Sequence, residues 1–404
     1  MKRKTPYNVI LISVDAVSKE DEQRLLQLPV FKYLKENGTY CNNMTTVFPT
    51  ITYPIHTSAI TGVYPDRHKI NHNEPWQADV PEDLRRWYWA VNEIGAKTLW
   101  KAAAEKGLKT ASLLWPVSGK GTGAIRWDFP ECMPLRGENP VIKYFKYATK
   151  SWLAYTELKW GAKVRKSIKR NDLDDYCCFL VERLLEKKRV PELITVHFAD
   201  TDFSRHDHGV GSSEDERAML HTNDMLQRIM DGVRKRGLEE DTVFVVMSDH
   251  GQENVDHGYI PLDSVLCDAG IGRAQSIGMG AYVYADNEQD AIRYLEEHKN
   301  ELHIEKILCN EELRKMHAPK DISLAVQAET GYGYSDRNCE CNHVGDHGFG
   351  VDHPTAKALL WLCGKPFEKG AEIDSARIVD IAPTIADIMQ LSMPDCDGTV
   401  IKHK

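Results

Sequence analysis

The sequence predicts an α/β fold, a doubly wound and mostly parallel sheet with helices on both faces plus a small α+β insert. Three observations lead there. Continuous apolar runs, such as Val9–Val14 and Thr242–Ser248, have the character of strands buried on both faces. Segments with helical apolar spacing fall between these runs. Several of the runs end in Asp or His, and open α/β sheets gather their sites at the carboxyl ends of strands.

The elements follow in order. Val9–Val14 is the first core strand and stops at Asp15. Residues 22–37, with Leu25, Leu26, Leu28, Phe31 and Leu34, predict a helix that Gly38 stops. Thr45–Phe48 reads as the second strand. Thr52 then opens a helix with Pro54 in its first turn, where a missing N–H costs nothing, and the helix runs to Thr61-Gly62. A polar loop covers 64–73. Thr98–Lys106 is helical, and Thr110–Leu114 is a strand ending at Trp115-Pro116. A helix at 172–187 leads to a strand at 193–199, which ends in Asp200-Thr201-Asp202. A helix at about 214–236 leads to the strand 242–248, which ends in Asp249-His250-Gly251. Val344–Gly350, the strand Ala358–Cys363 and the helix Ile378–Leu391 close the alternation.

Two stretches stand outside it. Residues 141–190 form a basic aromatic helical insert. Lys143, Lys146, Lys150, Lys159, Lys163, Arg165, Lys166, Lys169 and Arg170 alternate there with Tyr144, Phe145, Tyr147, Trp152, Tyr155 and Trp160. This pattern suits a solvated helix face with its aromatics turned inward, or a surface that steers an anion or touches a membrane. Residues 275–342 read as a small β-α-β-β subdomain. The remainder, about 5–140, 190–272 and 343–400, makes one discontinuous catalytic α/β domain within 1–404.

Composition excludes several classes. Ten cysteines in 404 residues, irregularly spaced, fit reduced thiols rather than a disulfide framework. A net charge of −9 argues against a generic nucleic-acid or acidic-membrane binder. No apolar run is long enough to span a bilayer, no cleavage site follows the first apolar run, and the expected location is cytoplasmic. There is no phosphate-cradling P-loop.

The chemistry centres on Thr52. At a helix N-terminus, free N–H groups and the dipole favour negative charge, and both a threonine alkoxide and a phosphoryl oxygen are negative. A plain N-cap threonine is the simpler use of that position. Three strand ends supply ligand-type residues: Asp15, Asp202 with His206, and Asp249 with His250. Asp202 and His206 are spaced i, i+4, so one turn presents both to one ion. His347, in Gly345-Asp346-His347-Gly348, is a fourth candidate. The donors divide into Asp15, Asp249, His250 and the Thr52 oxygen for one ion, and Asp202, His206 and His347 for a second. Mixed carboxylate and imidazole donors suit zinc, with manganese, iron or cobalt as alternatives, and the three-donor set leaves a position open.

At this point the residues resemble a family. Asp15, the Pro-Thr-x-Thr52-x-Pro turn, Thr61-Gly62-x-Tyr64-Pro65, Asn73 and Trp115-Pro116 are similar to the nucleotide pyrophosphatase/phosphodiesterase branch of the alkaline phosphatase superfamily. So are Asp202-x-x-x-His206, Ser248-Asp249-His250-Gly251, Gly345-Asp346-His347-Gly348 and the tail from Val379 to Ile388. The resemblance implies an alkaline-phosphatase-like fold, Thr52 as nucleophile, and Asn73 as the holder of a non-bridging phosphoryl oxygen. Ile55, Lys69 and Trp87-Tyr88-Trp89 depart from the family pattern.

The expected activity is hydrolysis of a phosphodiester or nucleotide pyrophosphate on a site with two divalent ions, most simply Zn2+, through a phosphothreonine. A neutral Asn73 with no arginine clamp suits a singly charged diester. Tyr53 and Trp115 are candidates to contact a substrate base, with packing in the core as the simpler use of such aromatics. The alternative is a phosphonate hydrolase acting on a phosphonoacetate-like substrate, or a phosphomonoesterase, whose cap would carry basic side chains. A silent metal-stabilised binding module is the third reading. The partners expected are small molecules, not nucleic acid. Cys132-Met133-Pro134-Leu135-Arg136 matches a sulfatase core but falls about eighty residues too late. Cys339-x-Cys341-x-His343 lacks a fourth ligand for a zinc knuckle, and His208 is a candidate to line the site.

Overall fold

The computed structural model describes residues 4–160, 173–336 and 341–403. Its main sheet draws on β1 (Asn8–Val14), β2 (Gly38–Thr45), β3 (Thr110–Leu113), β4 (Trp127–Phe129), β5 (Leu193–Phe198) and β6 (Thr242–Ser248). Next come β7 (Glu253–Asn254), β8 (Gly258–Ile260), β9 (Arg273–Ser276), β10 (Gly280–Tyr284), β11 (Ile304–Leu308), β12 (Leu324–Ala328), β13 (Tyr332–Tyr334) and β14 (Gly345–Asp346). The last strands, β15 (Lys357–Cys363), β16 (Ala371–Glu372) and β17 (Ala376–Arg377), return to the main sheet.

The main sheet runs β16-β2-β15-β6-β1-β5-β3-β4, with β17 also on β2. Every pairing is parallel except those of β15, which lies antiparallel to both β2 and β6. Val14 pairs with Phe198 on one side and Ser248 on the other. The residues that follow these three strands therefore leave the sheet at one edge. Alternate residues of β1 serve opposite faces: Ile10, Ile12 and Val14 join one apolar core, and Val9 and Leu11 join the other. The sheet is thus covered on both faces, as its apolar strands require.

Three expectations need correction. The helix over 22–37 is two helices, Glu22–Leu25 and Pro29–Asn37, because the residue before Pro29 is held extended. Gly38 ends the second of these helices as its C-cap, as expected, and is at the same time the first residue of β2, with φ −146°; a Cβ there would meet the Leu362 carbonyl oxygen at 2.5 Å. The second strand is Gly38–Thr45 rather than Thr45–Phe48; its polar residues hid a strand that pairs with β15. Asp200-Thr201-Asp202 is not a strand tail but the first turn of a helix, Asp200–His208.

β11, β12, β10 and β9 form a separate four-stranded antiparallel sheet, with Arg273–Ser276 as a strand ahead of Gly280–Tyr284. In the basic aromatic segment, the helices Pro140–Tyr147 and Lys150–Trp160 bury Tyr144, Tyr147 and Trp152, while Tyr155 stays exposed. Tyr144 stacks on Phe129 at 4.7 Å, and buried Lys143 sits 3.2 Å over the Trp89 ring. Lys163, Arg165, Lys166, Lys169 and Arg170 lie outside the described residues. Among the described residues, no helix is long and apolar enough to cross a membrane.

Candidate two-cation site

Four elements and one loop meet at the carboxyl edge of the sheet. Asp15 follows β1, and Asp249-His250 follows β6. Helix Asp200–His208 brings Asp202 and His206, and the loop after β14 brings His347. Helix Thr52–Thr61 begins directly at Thr52; the N-cap is Ile51, with no side-chain cap, so Thr52 is the first helical residue rather than a capping one. Gly62, with φ +74°, ends this helix in the left-handed conformation.

The first set converges on one atom. His250 Nε2 lies 3.3 Å from Thr52 Oγ1, 3.5 Å from Asp15 Oδ1 and 3.4 Å from Asp249 Oδ2. Asp15 Oδ1 and Asp249 Oδ2 are buried without a hydrogen-bond partner. Their sister oxygens are satisfied. Asp15 Oδ2 is paired with His197 Nε2 at 2.9 Å, and Asp249 Oδ1 accepts from the N–H groups of Ala16 and His250. Donors at about 2.0–2.1 Å in a tetrahedron stand about 3.3–3.4 Å apart, so these separations fit a zinc-sized cation. The two orphaned oxygens are what such an ion would satisfy.

The second set is similar. Asp202 Oδ1 lies 3.3 Å from His206 Nε2 and 3.9 Å from His347 Nε2. His206 donates from Nδ1 to the Gly345 carbonyl at 2.8 Å, which frees Nε2 to ligate. Gln252 donates to Asp202 Oδ1 at 2.5 Å. One donor atom each from Asp15, Asp202 and His250 lies within 4.8 Å of the others, so the two sets adjoin.

Electrostatics agree with the geometry. Burial, then the charges of Asp249 and Asp202, hold the Asp15 carboxyl well above its ordinary range. Burial also pushes His250 down to about 4 and His347 down to about 3, leaving both imidazoles neutral with a lone pair to offer. Burial opposes the ionised Asp202, yet His206 beside it pulls its pKa below the usual value. Crowded carboxylates among neutral imidazoles call for added positive charge.

Asn73 sits beside the helix start: its Oδ1 accepts from the Tyr53 N–H at 3.0 Å, leaving the amide NH2 as donor. Asn73, His206 and His347 line a cavity of about 200 Å3 with Trp87, Arg85, Glu74, Ser276 and Asp336. Within it the Arg85 guanidinium is paired with both Glu74 and Asp336. A larger cleft of about 400 Å3 runs past Phe203, Asp207 and His208 on the same helix, but holds none of the seven candidate ligands. His208 therefore belongs to that cleft and not to the site.

Tyr53 and Trp115 are corrections. Both side chains are fully buried, Tyr53 with its edge on Trp87 and Trp115 against His56, so neither reaches the cavity; Trp87 does. Helical periodicity explains the error, since the residue after Thr52 points back into the core. Ile55 is also fully buried, and Lys69 adopts φ +71°, a conformation that favours glycine. Cys132 is buried in the apolar core and lines neither cavity, and Cys339 lies outside the described residues.

The sequence reading missed the supporting residues. His197 orients Asp15, and its sole signal was a histidine inside an apolar strand. Arg205 is buried and binds the Ala16 carbonyl, Asp21 and Asp215, which ties the Asp202/His206 helix to the end of β1. Gly278, with φ +92°, passes so close to Asp346 and the His347 carbonyl that a Cβ would collide with both.

The family model for type I phosphodiesterase / nucleotide pyrophosphatase matches residues 9–358. Human ectonucleotide pyrophosphatase/phosphodiesterase family member 1 is 24% identical over 397 residues, covering 92% of this chain and 38% of that protein. Venom phosphodiesterase CdcPDE of Crotalus durissus collilineatus is 22% identical over 391 residues, covering 92% of this chain and 43% of its own. The chain thus spans about two fifths of the length of these curated relatives. Murine ectonucleotide pyrophosphatase / phosphodiesterase 5 shares the fold, with a TM-score of 0.73 at 17% identity over 97% of both chains. An inactive threonine-to-alanine variant of that murine protein, in complex with AMP, matches equally well.

Proposed function

The chain belongs to the type I phosphodiesterase / nucleotide pyrophosphatase family, and on that footing we propose that it hydrolyses phosphodiester or nucleotide pyrophosphate bonds with Thr52 as nucleophile. Asp15, Asp249, His250 and Thr52 would hold one divalent cation, and Asp202, His206 and His347 a second, zinc being the ion these donors suit. When bound, such ions supply the positive charge that favours a threonine alkoxide and neutralises the leaving oxygen.

The chain's own residues do the rest. Thr52 Oγ1 forms a bond to phosphorus in line with the departing group, whose P–O bond breaks, leaving a phosphothreonine. Water then cleaves that ester and returns the hydroxyl. Asn73 donates its amide N–H to a non-bridging oxygen, and the first turn of helix Thr52–Thr61 sets its dipole toward the same negative charge. The observation that carries this reading is the meeting of Thr52 Oγ1 and two orphaned carboxylate oxygens around His250 Nε2.

The cavity favours a singly charged diester. Its guanidinium, Arg85, is already shared between Glu74 and Asp336, which leaves little for the second anionic group of phosphonoacetate or the full charge of a monoester. The inactive threonine-to-alanine variant of the murine neighbour supports a threonine nucleophile, and its AMP complex supports a nucleotide as substrate or product.

The test is a substrate panel on zinc-reconstituted protein: bis-p-nitrophenyl phosphate, p-nitrophenyl phosphate and phosphonoacetate at equal concentration. The diester is expected to be cleaved fastest, with Thr52→Ala lowering kcat by roughly 10³-fold or more. Full activity in Thr52→Ala would overturn the nucleophile, and a preference for phosphonoacetate would overturn the substrate class.

A further inference from the structure

Helix Lys150–Trp160 walls a cavity of about 490 Å3 that holds none of the seven candidate ligands. Arg126, Trp127, Thr149, Ser151, Tyr155 and Lys187 line it. Arg126 directly precedes β4, and Lys187 lies between helix Leu173–Leu185 and β5. The cavity thus sits at the amino ends of the parallel strands, whereas Asp15 and Asp249 follow carboxyl ends. The six residues of β5 alone separate the two edges by about 20 Å.

The charge here is unbalanced. Arg126 Cζ lies 5.2 Å, Lys187 Nζ 5.3 Å and Lys109 Nζ 5.9 Å from the centre of the Trp127 ring. The ring face offsets part of the repulsion among them. Among the described residues, none of these three side chains has an ion pair or a hydrogen bond. Glu192 is close to Lys109 but already engaged: its Oε2 accepts the Lys109 backbone N–H at 2.7 Å, and its Oε1 accepts from the Arg189 guanidinium at 3.1 Å. Burial, then the charges of Arg189 and Arg126, holds the Lys109 ammonium below its ordinary range. Cations gathered this way favour an anion among them.

The uncharged lining supplies further donors. Thr149 Oγ1 accepts the Asp128 N–H at 3.1 Å, which leaves its hydroxyl proton to donate. Ser151 is exposed and adds a second hydroxyl. A guanidinium fork, an ammonium and two hydroxyls match a tetrahedral oxyanion with several terminal oxygens better than a lone carboxylate.

We propose that this cavity binds a terminal phosphate group, held by Arg126 and Lys187 and by the hydroxyls of Thr149 and Ser151. The site stands apart from whatever bond the catalytic edge cleaves. A free phosphate compound and a lipid head group both carry this chemistry. Leu158, on the same helix face as Ser151 and Tyr155, is 89% exposed and would rest against the lipid in the second case.

Calorimetric titration of the full chain with imidodiphosphate, whose P–N–P link resists hydrolysis, tests the free source. Co-sedimentation with phosphatidylcholine vesicles, with and without phosphatidic acid, tests the lipid source. Arg126→Gln/Lys187→Gln is expected to weaken binding at the cavity by about 10-fold or more. Lys146→Gln/Lys235→Gln removes the same charge from exposed positions outside the cavity and should leave binding unchanged. Binding at the catalytic edge would survive the Arg126/Lys187 exchange, so the two sites are read apart. With a lipid source, only the vesicles containing phosphatidic acid capture the protein, and Leu158→Asp releases it. Either probe held by the parent and lost with Arg126→Gln/Lys187→Gln supports the site. Neither probe held, equal binding by that variant, or an equal loss in Lys146→Gln/Lys235→Gln would overturn it.

Discussion

Asn73 separates a substrate-holding role from a structural one. Its Oδ1 accepts the Tyr53 N–H at 3.0 Å, so the amide NH2 is the donor left to face a phosphoryl oxygen beside Thr52. Asn73→Asp keeps the accepting oxygen in place and exchanges the donor for a second acceptor. The hydrogen bond to Tyr53, worth about 1 kcal/mol, survives, and the melting temperature should move little. The lost donor to a developing negative charge is worth about 2.7–4 kcal/mol, or 10²–10³ in kcat. Repulsion of the anionic substrate adds to this and raises KM. Asn73→Ala loses the donor without the repulsion, so its kcat falls by a similar factor while KM rises less, and it also loses the Tyr53 bond and about 1 kcal/mol of stability. The assay is steady-state hydrolysis of bis-p-nitrophenyl phosphate beside thermal melts of all three proteins. An Asn73→Asp protein with a third or more of the original kcat would refute the donor role and leave Asn73 as an anchor for the helix start.

Stripping both cations with a chelator should abolish diester hydrolysis and lower the melting temperature. At free zinc 1,000 times Kd each site contributes about 4.1 kcal/mol, and two sites about 8. With an unfolding entropy of about 0.85 kcal/mol/K for 404 residues, the shift is about 10 °C, measured by calorimetry with and without zinc. His221 gives a pH signature of its own. Its hydrogen bond to Asp200 raises its pKa to about 9, so its contribution is fully present below about pH 6.5 and is lost as pH rises through 9. Discounted for solvent screening it is roughly 1–2 kcal/mol, and urea melts of His221→Gln should converge on those of the parent above pH 9. Arg205→Ala leaves Asp21 and Asp215 short of their buried partner and frees the Ala16 carbonyl, so it should destabilise by about 3–5 kcal/mol and weaken metal retention, read by denaturant titration and metal analysis after dialysis.

Much of the framework was legible because it rests on local patterns. The apolar runs of β1, β5 and β6 announced buried strands, and their terminal Asp and His residues announced the site edge. The i, i+4 spacing of Asp202 and His206 already implied a turn of helix, although the run to Asp202 was read as strand. What stayed hidden depends on distant partners. The reversed direction of β15 and the position of β2 follow from their pairing with each other, which no local pattern records. His197, Arg205 and the Arg85–Glu74–Asp336 cluster act across separations of up to 251 residues. Tyr53 and Trp115 looked like substrate contacts by type and by nearness to Thr52 in sequence, but each lies on the buried side of its element.

Anomalous diffraction at the zinc edge from crystals of zinc-reconstituted protein tests the central claim most directly. Two strong peaks are expected. One should lie within about 2.0–2.2 Å of Asp15, Asp249, His250 and the Thr52 hydroxyl oxygen, and the other at the same distance from Asp202, His206 and His347. A peak pattern that leaves Thr52 more than a hydrogen bond away from any ion, or that places no ion between Asp15 and Asp249, would contradict it.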